Sequence, residues 1–229
     1  MRSIIRMFTR AKQILDTEGW QTLFSMGFKF LVDLFFGNIK YYLFESTIGE
    51  LQEVDFLPKI GNVTYKMVSS NQQASELADT GLEFRPPFVD ARKSLDRGAT
   101  AVCFFVGREL AHIGWVATNE EAKKCIDPLP FHVDFANKQA CTGSSWTNPK
   151  YRGKGLMAYG YMKRLQFLRE NGVKKCRNAV ETGNVAPQKV LTRFNARICG
   201  KARQLRILRW RCCYKETPIT DNELVGLDR

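Results

Sequence analysis

Histidine is nearly missing from this chain: two occur among 229 residues, His112 and His132. That count excludes a metal site built from imidazoles. The seven cysteines, at 103, 125, 141, 176, 199, 212 and 213, contain no C-x-x-C pair and no regular spacing. So odd and scattered a set argues for reduced thiols in a cytosol-like compartment, and against a disulfide framework or a zinc centre. A membrane-spanning run is lacking as well. The best candidate, residues 20–39, is interrupted by Lys29 and Asp33, so no stretch of about 20 uncharged residues exists. No secretory leader is expected, because Arg6, Arg10 and Lys12 break any apolar core that would follow Arg2. Internal repeats and low-complexity linkers are absent too.

Acids are scarce: 23 Asp and Glu stand against 35 Lys and Arg, a net charge of +12. The excess is uneven. Residues 150–215 carry 18 basic side chains and two acids, Glu170 and Glu181, whereas residues 1–50 carry six basic and five acidic ones. The positive field therefore belongs to the C-terminal third. It points to an anionic partner there: nucleic acid, an acidic membrane surface or a phosphate-rich cofactor. With 44% hydrophobic and 25% charged residues the composition is globular, sized for one domain and an extension.

Apolar side chains at Ile4, Phe8, Ala11 and Leu15 have helical spacing over residues 3–17. A second helix is expected over about residues 18–36, with Gln21, Ser25, Lys29 and Asp33 on one narrow polar stripe and a Phe-rich remainder. So wide an apolar face needs a cover. Either it packs on the main domain, or it makes a membrane-surface or homodimer contact through residues 1–50. A short extended segment follows at 39–44. From Gly61 the pattern changes, and the main domain is expected over 61–229, with 1–60 as an N-terminal helical extension.

Within the main domain, residues 63–68 read as a strand, 71–78 as a helix and 85–96 as a loop opened by Arg85-Pro86-Pro87. A hairpin is expected from 101–106 and 110–118, turning at Gly107-Arg108-Glu109. Residues 131–135 and 140–147 look like the next two strands. A helix with Ala158, Met162, Leu165 and Leu168 on one face closes at Asn171-Gly172. A strand at 173–180, a helix at 186–194, and strands at 198–202 and 204–214 complete the reading. Strands first, then strand–helix–strand–helix–strand, imply a mixed α+β sheet with helices on its faces.

The segment Thr147-Asn148-Pro149-Lys150-Tyr151-Arg152-Gly153-Lys154-Gly155-Leu156-Met157 lies between an expected strand and an expected helix. Gly153 and Gly155 permit backbone conformations that side chains forbid. The unpaired N–H groups at the helix start, with the positive end of its dipole, make an anion site. Arg152 and Lys154 add charge. It is neither the nucleotide P-loop nor the dinucleotide fingerprint, because GxxxxGK[ST] is absent and GxGxxG would need Gly at Ala158. An ordinary glycine turn with solvated charges is the plain alternative.

The string Pro-x-Tyr-Arg-Gly-Lys-Gly-Leu closely resembles motif A of the GNAT superfamily of N-acetyltransferases, [RQ]-x-x-G-x-[GA]. Arg152 and Gly155 match; Met157 departs where Gly or Ala is usual. Asn184, after the strand at 173–180, looks like the family's motif B asparagine, which caps the next helix and contacts pantetheine. The run 191–200 resembles Y-x-x-x-G-F-x-x-x-G, but Leu191 replaces the Tyr and Asn195-Ala196 replaces Gly-Phe. The resemblance covers about residues 61–215.

What the resemblance implies is the acyl-CoA N-acyltransferase fold, a mostly antiparallel sheet whose two central parallel strands splay to admit acetyl-CoA. The strands here would be 140–147 and 173–180. Acetyl-CoA, the co-substrate, would place its pyrophosphate on the backbone N–H groups of Arg152, Gly153, Lys154, Gly155, Leu156 and Met157. Its pantetheine would lie between Trp146-Thr147 and Asn184, and N–H groups near Thr147 would polarise the thioester. The implied reaction is direct attack by a primary amine, of a small molecule or a peptide, in a ternary complex.

No single acid or base is assigned. His132, Asp134 and Glu181 are the candidates, with His132 and Asp134 on one side of an expected strand. Tyr159, Tyr161 or water would protonate the thiolate. Two other functions compete. The basic, aromatic-interleaved run 201–211 suits a nucleic-acid surface, although no nucleic acid is expected as partner of an acetyltransferase. Residues 1–50 suit a membrane-peripheral acyltransferase acting on a lipid-like amine or with a longer acyl chain, and a cytoplasmic or membrane-peripheral location is expected.

Overall fold

The computed structural model of the chain describes residues 36–84, 89–207 and 210–219. The helices expected over 3–17 and 18–36 lie outside these residues, except that residue 36 already belongs to a strand. The chain divides into a larger unit, Tyr41–Lys201 with Glu216–Arg229, and a smaller one, Met1–Lys40 with Ala202–Lys215. The boundary expected at Gly61 thus falls inside the larger unit.

Eight strands form one mixed sheet: β1 (Phe36–Thr47), β2 (Val63–Val68), β3 (Thr100–Val106), β4 (Glu109–Ala117), β5 (Gln139–Thr147), β6 (Lys175–Glu181), β7 (Arg197–Ile207) and β8 (Trp210–Pro218). Their order is β2-β3-β4-β5-β6-β1-β7-β8. The β2–β3, β3–β4, β4–β5 and β1–β6 pairs are antiparallel, and β5–β6 is parallel. A place inside the sheet, off its edge, follows from composition. β3 reads TAVCFFV and is buried at six of its seven residues, so it needs cover on both faces.

Five α-helices lie among the described residues: α1 (Asn71–Asp79), α2 (Ala91–Asp96), α3 (Glu120–Ile126), α4 (Leu156–Glu170) and α5 (Val185–Arg193). The first three have side-chain caps: Ser70, Asp90 and Asn119 accept from the backbone N–H of Gln73, Lys93 and Ala122. The longest, α4, lays Leu156, Met162, Leu165 and Leu168 into the core against the sheet. It stops at Gly172, whose φ of 72° is open to glycine. Two glycines mark close approaches. A Cβ on Gly160 would stand 2.6 Å from His112 Nε2, and one on Gly114 2.7 Å from Arg164 Cζ.

Several expectations are corrected. Residues 131–135 form no strand; they run as a loop. Phe131 and Val133 are buried and His132 is exposed, so the alternation is real while the ladder partner is missing. The loop expected at 85–96 holds α2, nucleated by the Asp90 cap. The segment expected at 39–44 is a twelve-residue strand, β1, whose residues Tyr41 to Thr47 pair with β6. No break separates 198–202 from 204–207; β7 runs through them. In the smaller unit, Arg203 Nε donates to Asn38 Oδ1 at 2.8 Å.

Candidate active site

β5 ends in a turn built to stay open. The Asn148 side chain accepts from Lys150 N–H at 3.1 Å and starts the 3₁₀ turn Pro149–Tyr151. Tyr151 is buried and donates to Glu109 Oε2 at 2.6 Å, and Lys150 Nζ meets the same carboxylate at 2.7 Å. Hydrogen bonds from Lys150 and then Tyr151 hold the Glu109 carboxyl below its ordinary pKa. With one end so pinned, the chain reverses through Gly153 (φ 75°) and Gly155 (φ 82°), and Gly155 caps α4 without a side chain. The left-handed region costs other residues about 1–2 kcal/mol.

The N–H groups of residues 153–157 meet no acceptor in the described chain. Arg152 is different: its N–H donates to Pro149 O at 3.3 Å, and its Nε to Thr147 O at 3.3 Å. Of the six amides expected to face the pyrophosphate, Arg152 is therefore occupied, and Gly153, Lys154, Gly155, Leu156 and Met157 are available. Beside them, Lys59 N–H donates to Lys154 O at 2.8 Å, and Pro58 runs past Gly155. Lys150, Arg152 and Lys154 are exposed around the turn, which with the helix dipole suits a diphosphate.

β5 and β6 pair at Gln139↔Lys175, Ala140↔Cys176 and Cys141↔Arg177, then diverge. At the next position a side chain replaces the ladder: Asn178 Nδ2 donates to Thr142 O at 2.9 Å and also bonds Thr142 Oγ1. A bulge bends β5 away. Trp146 faces Ile113 and Gly143 faces Trp115, so three steps on β5 match two on β4. Ser144 within the bulge has φ 44° and donates to Ile126 O at 2.6 Å.

The divergence leaves a cavity of about 350 Å³. Thr142, Gly143, Ser144 and Ser145 line one wall, and Asn178 to Glu181 the other. Met157, Tyr161 and Arg164 of α4, Asn184 at the head of α5, and Leu191 within it also line the cavity. Tyr161 is buried; its hydroxyl donates to Asn178 Oδ1 at 3.2 Å and meets Ser46 Oγ at 3.1 Å. Burial first, then the neighbouring Cys176, pushes its pKa well up. Arg164 is buried beside it, and desolvation lowers its pKa to about 10, so it stays charged at neutral pH.

The expected residues separate accordingly. Met157, Glu181 and Asn184 line the cavity. Trp146 and Thr147 are not among the lining residues; they pair with β4 opposite Ile113 and His112, and Thr147 Oγ1 bonds His112 Nδ1 at 2.8 Å. The β5 residues that line the cavity are 142–145. Asn184 stands at the α5 N-cap, but its side chain makes no capping bond. His132 and Asp134 line no part of the cavity. Asp134 accepts from the Asn137 side chain and backbone, which lowers its pKa and ties it into a turn. The His132 carbonyl accepts from Arg177. Of the three acid–base candidates only Glu181 reaches the cavity. Tyr159 donates to Glu53 at 2.6 Å, outside the lining.

Asn195 has φ 54°. Asparagine tolerates this conformation better than most residues, which accounts for its standing where the resembled motif has Gly. Arg164 was missed by sequence reasoning. It sits in register with Met157, Tyr161 and Leu168 on α4, and a charge in that buried row was the available signal.

Parallel strands that part after three rungs, with a glycine turn and a helix at the end of the first, are what the motif resemblance implies. The fold is a mixed α+β sheet with helices packed on it, parted between β5 and β6. No family model matches the sequence, and no curated protein does. Solved structures similar to the chain include a GCN5-related N-acetyltransferase from Sphaerobacter thermophilus, 10% identical over 85% of this chain and 57% of that one, with a TM-score of 0.49. A tandem GNAT protein of the clavulanic acid biosynthesis pathway is 14% identical over 81% and 55%, with a TM-score of 0.48. A GCN5-related N-acetyltransferase from Kribbella flavida is 13% identical over 76% and 61%, with a TM-score of 0.45. In each case the chain spans less than two thirds of the other's length. Among the described residues no group of three or more side chains suits a metal, and no helix is long and apolar enough to cross a membrane.

Proposed function

We propose that this GNAT-like chain is an acyl-CoA-dependent N-acyltransferase that moves an acetyl or related acyl group to a primary amine. The observation that carries the reading is the row of available amides at residues 153–157, heading α4 beside a split pair of strands. An anion cradle and an adjoining slot are what a diphosphate-bearing thioester needs. The diphosphate lies on the turn, and the pantetheine arm pairs with the 142–145 edge, with Asn184 opposite.

The amine nitrogen attacks the thioester carbonyl carbon, the C–S bond breaks, and CoA leaves as thiolate. The ammonium proton formed in the attack passes to Glu181 at the cavity wall, directly or through water. Leu191 carries no hydroxyl and Tyr161 already donates to Asn178. The thiolate is a good leaving group and departs without a proton from the protein. Holding the two reactants together supplies most of the acceleration.

Titration calorimetry with CoA and acetyl-CoA tests this. Binding tighter than about 1 mM is expected. A folded protein that gives no heat with either compound would overturn the reading.

A further inference from the structure

The cavity contains a buried cation that no carboxylate pairs with: Glu181, the acid of its lining, forms no ion pair with Arg164. Arg164 is 2% exposed. Its Nε donates to Gly160 O at 3.2 Å and its Nη1 to Ser145 Oγ at 2.9 Å, and its guanidinium lies 5.3 Å from the Tyr161 ring centroid. A guanidinium has five N–H groups, so three find no partner in the described chain. No Asp or Glu among the described residues forms an ion pair with it. The ionisable groups that act on it are Tyr161, Cys176 and Cys141, and burial keeps all three neutral by raising their pKa values. His112, on the β4 side, is neutral as well.

A buried cation left unpaired is costly, and proteins keep one where something pairs with it. Arg164 lines the cavity, so its remaining N–H groups find their acceptor there. The nearby lining is uncharged: Thr142, Ser145, Tyr161 and Asn178. A planar fork of donors surrounded by hydroxyls and an amide matches a carboxylate, bound bidentately. Arg164 lies nine residues beyond Gly155, about 14 Å along the helix axis, toward the end of the slot remote from the phosphate turn.

We propose that the cavity receives a ligand carboxylate that pairs with Arg164. The inference rests on the acyltransferase reading above. Two sources share this chemistry: the far carboxylate of a dicarboxylic acyl group on CoA, or the carboxylate of an amino-acid acceptor.

The experiment is calorimetry on the full chain and on Arg164→Met. The ligands are CoA, acetyl-CoA and succinyl-CoA, and then, with CoA saturating, a panel of amino acids against their amides. The wild type binds CoA. It also shows at least a tenfold preference either for succinyl-CoA over acetyl-CoA or for an amino acid over its amide, and the arm that responds names the source. Arg164→Met loses that preference while still giving a CoA isotherm, so the ratio between paired ligands, not the CoA affinity itself, is the readout. Should the Met variant not fold, Arg164→Gln takes its place. CoA binding with no preference in either arm, or a preference that survives the substitution, overturns the inference and leaves the acyltransferase reading standing. No CoA binding by the wild type overturns both.

Discussion

An alanine at position 160 would gain helix propensity of about 1 kcal/mol, yet its Cβ would stand 2.6 Å from His112 Nε2 and 3.2 Å from Phe104 Cε2. Overpacking of this kind costs about 1–3 kcal/mol. Gly160→Ala is therefore expected to lower the urea midpoint, against its propensity. His112 itself carries a pH signature. Burial, then the charge of Arg164, lowers its pKa from 6.5 to about 3. Below pH 6.5 the unfolded chain takes a proton that the folded chain refuses until about pH 3. The stability His112 contributes is thus complete above 6.5 and is lost as pH falls, by about 2 kcal/mol at pH 5. Urea melts at pH 7 and pH 5 should show a smaller drop for His112→Gln than for the wild type. None of this was legible from a lone histidine in an apolar strand. The neighbours that neutralise it come from α4, some 50 residues away, and sequence spacing does not report such contacts.

The turn heading α4 is the element that the sequence reveals best. Two glycines in a basic stretch after a strand already specify an open, left-handed reversal, and both have positive φ. What spacing could not show is that Arg152, though exposed, spends its amide and Nε on the local carbonyls of Pro149 and Thr147. Arg152→Ala is accordingly expected to weaken CoA binding by about 1 kcal/mol, roughly fivefold, with a flatter salt dependence. Gly155→Glu should abolish binding, since its φ of 82° and the nearness of Pro58 put a carboxylate in strained backbone at the anion cradle. Calorimetry on both variants, with circular dichroism to confirm folding, checks the pair. The failure at 131–135 has the opposite cause. Alternating burial can arise in a loop that merely drapes over a core, and only a partner strand turns the same pattern into a ladder. The β5 wall of the cavity was hidden from sequence for a related reason. The β5 lining falls at 142–145, in and before a bulge between Gly143 and Trp146 that no local residue preference announces.

At the scale of the molecule, β1 corrects the division at Gly61. Residues 41–47 lie in the sheet against β6, with Leu43 and Phe44 buried. A chain beginning at Gly61 is expected to lose cooperative thermal unfolding, which a circular dichroism melt would show. A membrane-binding comparison of the two lengths would then compare a folded protein with a broken one. The mixed α+β class was readable because strand and helix periods alternate cleanly after Gly61. The placement of β1 was not, because pairing across most of the chain leaves no trace in local periodicity. Tyr41 faces Glu181 across the ladder, and at ordinary synthesis rates the two leave the ribosome on the order of ten seconds apart. Throughout that interval the early strand waits with its greasy side uncovered, and faster elongation shortens the wait for its late-made neighbour.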